Sequence, residues 1–402
     1  MKNSISRRGA ISAAAIAAGG LAANPIPCFA GQTVGHVDSE HNRKLVVLFL
    51  EGGNDGLNMI VPYADPLYRR YRDICRIDAA RVVRLTTEHG FHPSMRALTS
   101  AWENGKLAIV QGVGYPNHSR SHFVSQAVWH TAQLDARLSD ESGWLGRCLD
   151  DRQLVTDDPL AFNLNSLVTP LSLRGRRTRT ATVPAIDRED AGLVRRLLEQ
   201  HERGNHTDEQ RQYVRRLAGD ACESLGLWMQ ATASSQKLDF PSTVLGQSLA
   251  RIAWLILSGN PAVVYFATQP GYDTHAGQAP RHASLLSELA DGLAAFDRVL
   301  TGDGLAQDVA VVVVSEFGRR IQENVSGGTD HGAAGPVLIL GGGYKPGLHG
   351  KNPDLADLEN GDLRVTTDFR SVYATLLRNS LEVNSAGTLP AGLQPMGSLL
   401  DV

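Results

Sequence analysis

The stretch that most limits the fold is Val309 to Val314, an unbroken run of β-branched and small apolar residues that ends in Ser315-Glu316. A strand apolar on both sides must be covered on both sides, which predicts a buried parallel strand in a sheet flanked by helices. The carboxyl ends of such strands are where open α/β sheets gather their ligands. Beyond Glu316 the chain passes Phe317, Arg319 and Arg320, crosses the polar segment SGGTDHG at 326–332, and returns in the apolar run Pro336 to Leu340. Glu316, Asp330 and His331 therefore fall near one edge of one sheet. Carboxylate and imidazole in that arrangement are what metal sites with hard ligands use.

Three earlier runs repeat the pattern. The strand Lys44 to Leu50 is followed at once by EGGNDGLN, where consecutive glycines allow a tight turn and a close backbone approach to a ligand. The spacing is not GxGxxG, so a dinucleotide site is a poor reading. Asp55 in this turn reads either as a metal ligand or as a turn residue bonded to its own backbone. A second strand, Leu107 to Val113, ends in GYPNHSRSHF, with a helix starting near Ser119 to Ser121. The free N–H groups of that helix start would receive an oxyanion, and each serine reads either as a nucleophile or as the helix N-cap. His122, Gln126 and His130 then share one helix face, with His122 nearest the strand end. The third strand, Ala262 to Thr268, ends in QPGYDTHAGQ, where Asp273 and His275, two apart in an extended loop, point to the same side. Helices are expected at Asp65–Asp78, Ser94–Asn104 and Arg281–Leu300. Ionisable loops after four successive apolar strands are not what scattered structural carboxylates would produce.

At 402 residues and 42% hydrophobic, the chain can bury a large core. Its net charge is -3, and the first thirty residues carry Lys2, Arg7 and Arg8 without an acid, so the remainder is more acidic still. That balance argues against nucleic acid as the main partner. Ser6-Arg7-Arg8-Gly9 before a weakly apolar run from Ala10 to Ala23, then PIPCFA, matches a twin-arginine export signal cleaved after Ala30. This predicts the twin-arginine export machinery as a partner, a periplasmic or otherwise exported protein, and a mature chain without a membrane span. Residues 31–43 read as a linker and 44–402 as one domain, with an inserted helical cap at about 189–240. Removing Cys28 leaves Cys75, Cys148 and Cys222, which allow at most one internal disulfide. The basic segment at 174–182 is a solvated loop or an anion site.

Taken together, the twin-arginine leader, FLEGGNDGLN, GYPNHSRSHF, YDTHAGQ, SEFGRR and GGTDHG resemble a family of exported bacterial proteins of unknown function placed with the alkaline phosphatase and sulfatase-like superfamily. The resemblance runs from about Lys44 to the C-terminus in motif order. It implies an α/β fold with a large, mostly parallel sheet, helices on both faces and a metal site at the strand ends. By the same resemblance Asp273, His275 and His331 hold a divalent metal, zinc or manganese, while Glu316, Asp330 and Asp55 serve a second site or support the first. Phe317 stands where the superfamily usually has a metal-binding histidine, and PNHSR lacks a hydroxyl or thiol at the sulfatase cysteine position.

The expectation is an exported metal-dependent hydrolase of phosphate or sulfate esters, with a small anionic or sugar-linked ester as substrate. Ser121 or Ser119 would be the nucleophile, and Arg120, Arg319 and Arg320, with His122, would grip the anion. The alternative keeps the fold but not the turnover, as an exported binding or assembly protein.

Overall fold

The computed structural model describes residues 43–137, 140–152, 159–166, 168–183, 231, 233–235 and 237–400. The expected leader, nearly all of the linker, most of the helical insertion at 189–240 and Cys222 lie outside the described residues.

Strand β1 (Lys44–Glu51) has no polar face, and its alternating side chains feed two separate cores. Val46, Leu48 and Leu50 enter one, while Leu45, Val47 and Phe49 enter the other. The remaining elements that build these layers are β2 (Leu107–Gly114), α1 (His122–Thr131), β3 (Ala161–Leu164), β4 (Thr180–Val183) and α2 (Val244–Leu257). They continue with β5 (Val264–Pro270), α3 (Gln278–Gly302), β6 (Val309–Ser315), β7 (Arg319–Glu323), β8 (Thr329–His331) and β9 (Gly335–Gly341). Last come β10 (Gly347–His349), β11 (Thr367–Asp368) and α4 (Phe369–Ser380).

Among the described residues, nine strands form the main sheet in the order β10-β2-β9-β6-β1-β5-β3-β4, with β11 also on β2. Every pairing is parallel except those of β9, which runs antiparallel to β2 and β6. β1 lies at the centre, Val47 pairing with Phe266 on one side and Val312 on the other. Helices α2 and α3 cover one face through Leu249, Ile252, Leu286, Leu289 and Phe296. Helices α1 and α4 cover the other through Val128, Trp129, Phe369 and Tyr373. Each aliphatic side chain buried this way contributes about 1.5–3 kcal/mol, which is why the β6 run needs helices on both sides. The fold is thus the α/β architecture with a large, mostly parallel sheet that the apolar runs imply. Among the described residues, no helix is long and apolar enough to cross a membrane.

The local expectations shift in instructive ways. The helix expected over Asp65–Asp78 stops at Tyr71. Arg72 turns inward to Asp55, and the next backbone N–H groups, of Asp73, Ile74 and Cys75, are taken by the Glu323 carboxylate. The helix expected over Ser94–Asn104 divides into a 3-10 stretch, Pro93–Leu98, and a short α-helix, Thr99–Glu103. The basic loop is tied down from within: the Asp150 carboxylate accepts the backbone N–H groups of Arg176, Arg177 and Thr178. Cys75 and Cys148 are buried and free.

Candidate metal centre

Parallel packing brings the carboxyl ends of β1, β2, β5 and β6 to one edge of the sheet. The turn after β1 passes so close to the loop after β5 that a Cβ on Gly52 would lie 2.4 Å from the backbone nitrogen of Asp273. Gly52 also has φ +119, a conformation that side-chain-bearing residues rarely adopt. At Gly53 a Cβ would run into the Phe317 ring. The two glycines therefore let the β1 turn, the β5 loop and the residue after Glu316 meet around one point.

At that point stand Asp273, His275, His331 and His122. His275 Nε2 lies 2.9 Å from Asp273 Oδ1 and 2.9 Å from His331 Nε2. His331 Nε2 is 3.1 Å from Asp273 Oδ1, and His122 Nε2 is 3.6 Å from Asp273 Oδ2. Ligand atoms of His122, Asp273 and His331 all lie within 4.8 Å of one another, a grouping able to hold a metal ion.

The other nitrogen of each ring is already committed. His122 Nδ1 is 2.9 Å from Glu316 Oε1, His275 Nδ1 is 3.3 Å from Asp330 Oδ1, and His331 Nδ1 is 2.7 Å from the Arg120 carbonyl oxygen. Carboxylates and carbonyls only accept, so each Nδ1 carries the proton and donates it. Each ring thus turns its Nε2 edge toward one carboxylate. Three Nε2 lone pairs beside that carboxylate would repel one another, and a cation shared among them, a proton or a metal ion, relieves this. An imidazole tied at Nδ1 to a carboxylate or carbonyl is also the usual orientation of a metal-ligating histidine, so the donor set fits a divalent ion.

Electrostatics hold this arrangement in place. Burial pushes Asp273 up, but the Arg319 and His331 hydrogen bonds outweigh it and bring its carboxyl down to about 2. Burial keeps His331 below the ordinary histidine value despite its partners. Glu316 is fully buried, which would raise it, yet hydrogen bonds from His122 and the Gly52 N–H keep it below the usual carboxylate range. The same Glu316 hydrogen bond raises His122 against the opposing effect of burial.

Several residues occupy places other than those their sequence positions imply. Arg319, expected to grip substrate, is 2% exposed. Its guanidinium donates to the carbonyls of Gly52, Gly53, Thr329 and Tyr272 and to Asp273, so from its buried position it clamps the loops together. Asp55, expected as a second-site or supporting group, is buried in an ion pair with Arg72 and caps the turn Gly56–Met59. Glu316, expected at a second metal, stands behind the His122 ring. Asp330 supports His275 rather than its chain neighbour His331. His122, assigned to substrate, joins the ligand cluster instead. Ser121 is the N-cap of α1 but makes no side-chain cap bond, and Ser119 Oγ accepts the Ser121 N–H at 3.1 Å.

Arg120 and Arg320 do lie together. Arg120 Nη2 donates to Asp362 Oδ2 at 2.6 Å and Arg320 Nε to Asp362 Oδ1 at 3.3 Å, while His118 Nε2 is 3.1 Å from the same carboxylate. Asp362 is fully buried and both guanidiniums stay partly exposed. Burial would raise Asp362, but these partners hold it below the usual range. Neither Asp362 nor Gln278, described below, was singled out from the sequence. The Asn360-Gly361 turn marks a hairpin before Asp362, but no spacing signals its partners.

The model of the family described as Protein of unknown function (DUF1501) matches residues 42–381. No curated protein matches the chain. Among solved structures, it is similar to the PsFucS1 sulfatase from Pseudoalteromonas sp., at 9% identity over 98% of this chain and 75% of that one, with a TM-score of 0.42. It is similar to a protein in the alkaline phosphatase superfamily from Vibrio parahaemolyticus, at 9% identity over 98% and 80% of the two chains, with a TM-score of 0.38. It is also similar to the alkaline phosphatase from the Antarctic bacterium TAB5, at 10% identity over 76% and 94%, with a TM-score of 0.36.

Proposed function

The chain belongs to the family described as Protein of unknown function (DUF1501), and we propose that it is an exported, metal-dependent hydrolase of phosphate or sulfate esters. The observation that carries this reading is the convergence of three Nε2 atoms on Asp273, each ring locked by an acceptor at Nδ1. His122, His275, His331 and Asp273 would hold one divalent ion, zinc or manganese by ligand type. Bound there, it would supply the Lewis acidity that polarises an ester oxygen and acidifies water.

The chain's own residues supply the rest. Glu316 orients His122, Asp330 orients His275, and the Arg120 carbonyl orients His331. Arg120 and Arg320, preset by Asp362, bind the anionic group of a small or sugar-linked ester through donors that Asp362 leaves unused. Ser121 is the nucleophile of this scheme, its hydroxyl free of a cap bond at the start of α1, where N–H groups stabilise developing negative charge. The twin-arginine pattern within residues 1–30 supports a periplasmic site of action.

One observation favours a second reading, a non-catalytic metal-binding member of the fold. Neither Ser119 Oγ nor Ser121 Oγ is hydrogen-bonded to a base, and four protein ligands leave a less open centre than most hydrolytic sites keep. Metal analysis of the purified mature protein, with a panel of phosphomonoesters, phosphodiesters and sulfate esters, separates the two. Turnover that needs metal and disappears in Asp273→Ala supports the hydrolase. Bound metal without turnover on the panel supports the second reading, and wild type that takes up no metal after reconstitution rejects both.

A further inference from the structure

Two motifs distant in the chain, Asp273-Thr274-His275 and Thr329-Asp330-His331, carry most of the cluster, and each contains a buried threonine. Both threonines end on one atom. Thr274 Oγ1 donates to Gln278 Oε1 at 3.0 Å, and Thr329 Oγ1 donates to the same oxygen at 2.6 Å. The backbones meet as well, with Thr329 N–H on the Thr274 carbonyl at 3.2 Å and Gln278 N–H on the Gly327 carbonyl at 2.9 Å.

On its other side the Gln278 amide nitrogen donates to Asp55 Oδ2. Asp55 is paired with Arg72, whose guanidinium also reaches the carbonyls of Ile321 at 2.8 Å and Arg320 at 2.9 Å. An ionised carboxylate only accepts, so the amide NH2 must face Asp55 and the carbonyl is left for the two hydroxyls. Gln278 and Arg72 have no exposed surface, which makes every bond in this chain of contacts costly to leave unmade.

We propose that Gln278 is the positioning residue that sets the Asp273/His275 loop and the Asp330/His331 strand at their mutual spacing, anchored through Asp55 and Arg72 on the glycine turn after β1. The proposal rests on the metal reading above. It gives Asp55 a task the ligand assignment did not: it orients the amide that orients the two ligand-bearing motifs.

The test uses cobalt(II), whose visible spectrum reports ligand number and geometry independently of turnover. Wild type should bind Co²⁺ with a defined spectrum. Thr274→Val and Thr329→Val, each removing one hydroxyl at constant shape, should weaken binding about tenfold, and Gln278→Met about a hundredfold with an altered spectrum. Ile339→Val, a core change in β9, should leave affinity and spectrum unchanged. Folded threonine variants with wild-type affinity and spectrum would overturn the proposal, as would an equal loss in Ile339→Val, which would mark the effect as general destabilisation. If Gln278→Met does not fold, the two threonine variants decide. Absence of Co²⁺ binding by wild type is a separate outcome, and it removes the metal reading together with this one.

Discussion

Glu316→Gln distinguishes a group that orients one metal ligand from a group that binds a second metal. Both the Gly52 N–H and the His122 Nδ1–H donate to Oε1, each at 2.9 Å. A glutamine that keeps its oxygen there retains both bonds. Its NH2 then replaces Oε2, whose partner Ser315 Oγ already has another acceptor in the Leu50 carbonyl at 2.7 Å. The substitution therefore preserves shape and removes chiefly the charge. Hydrogen bonds to an ionised acceptor are about twice as strong as neutral ones, and loss of such a partner behind a ligating histidine costs about 10–100-fold in metal affinity, or about 1.4–2.7 kcal/mol. Glu316 also raises the affinity of His122 for a proton, and its removal eases that competition, so zinc affinities are compared at the alkaline end of a pH series, where protons compete least. The expected result is one zinc per chain in each protein, bound at least tenfold more weakly by the variant. Equal affinities would refute the orienting role. A drop from two zinc ions to one would mean that Glu316 is itself a ligand.

Three further outcomes follow from other parts of the structure. Asp55→Ala strands a fully buried guanidinium and should lower the unfolding free energy by about 3–5 kcal/mol in urea titrations followed by circular dichroism; a loss below about 1 kcal/mol would contradict the buried pair. Asp362→Asn loosens Arg120 and Arg320 together and should raise KM for the anionic ester about tenfold with little change in kcat, and an unchanged KM would remove these arginines from substrate binding. Burial lowers His282 to about 4 from an ordinary 6.5, so the ring is neutral in the fold and takes up a proton more readily when unfolded. Its stabilising contribution is complete above pH 6.5 and is lost as pH falls through about 4, amounting to about 3 kcal/mol. Unfolding free energies measured across that range should fall more steeply for wild type than for His282→Gln, and parallel curves would show that His282 does not titrate as described.

Much of the architecture was legible in the chain, because a strand covered on both faces leaves an unmistakable trace. Val309 to Val314, Lys44 to Leu50 and Leu107 to Val113 are apolar at every or nearly every position, and parallel strands aligned by such runs must bring their carboxyl ends to one edge. That is why the loops carrying Asp273, His275 and His331 could be assigned to one edge without coordinates, while the family resemblance grouped the three residues. The partners within that edge were not legible, because they depend on directions and distances between segments far apart in sequence. Glu316 meets His122 across 194 positions, and only packing of α1 against the sheet turns that ring's Nε2 toward Asp273. Arg319 and Arg320 are adjacent in β7 and look alike as residues, yet alternation along the strand buries one among loop carbonyls and leaves the other partly open beside Asp362. Residue type and order determined the sheet and the edge that carries the chemistry. Tertiary structure decided which nitrogen of each histidine is committed, which arginine stays partly open and which carboxylate faces the three rings, since hydrogen bonds depend on ångström-scale approach that no local pattern encodes.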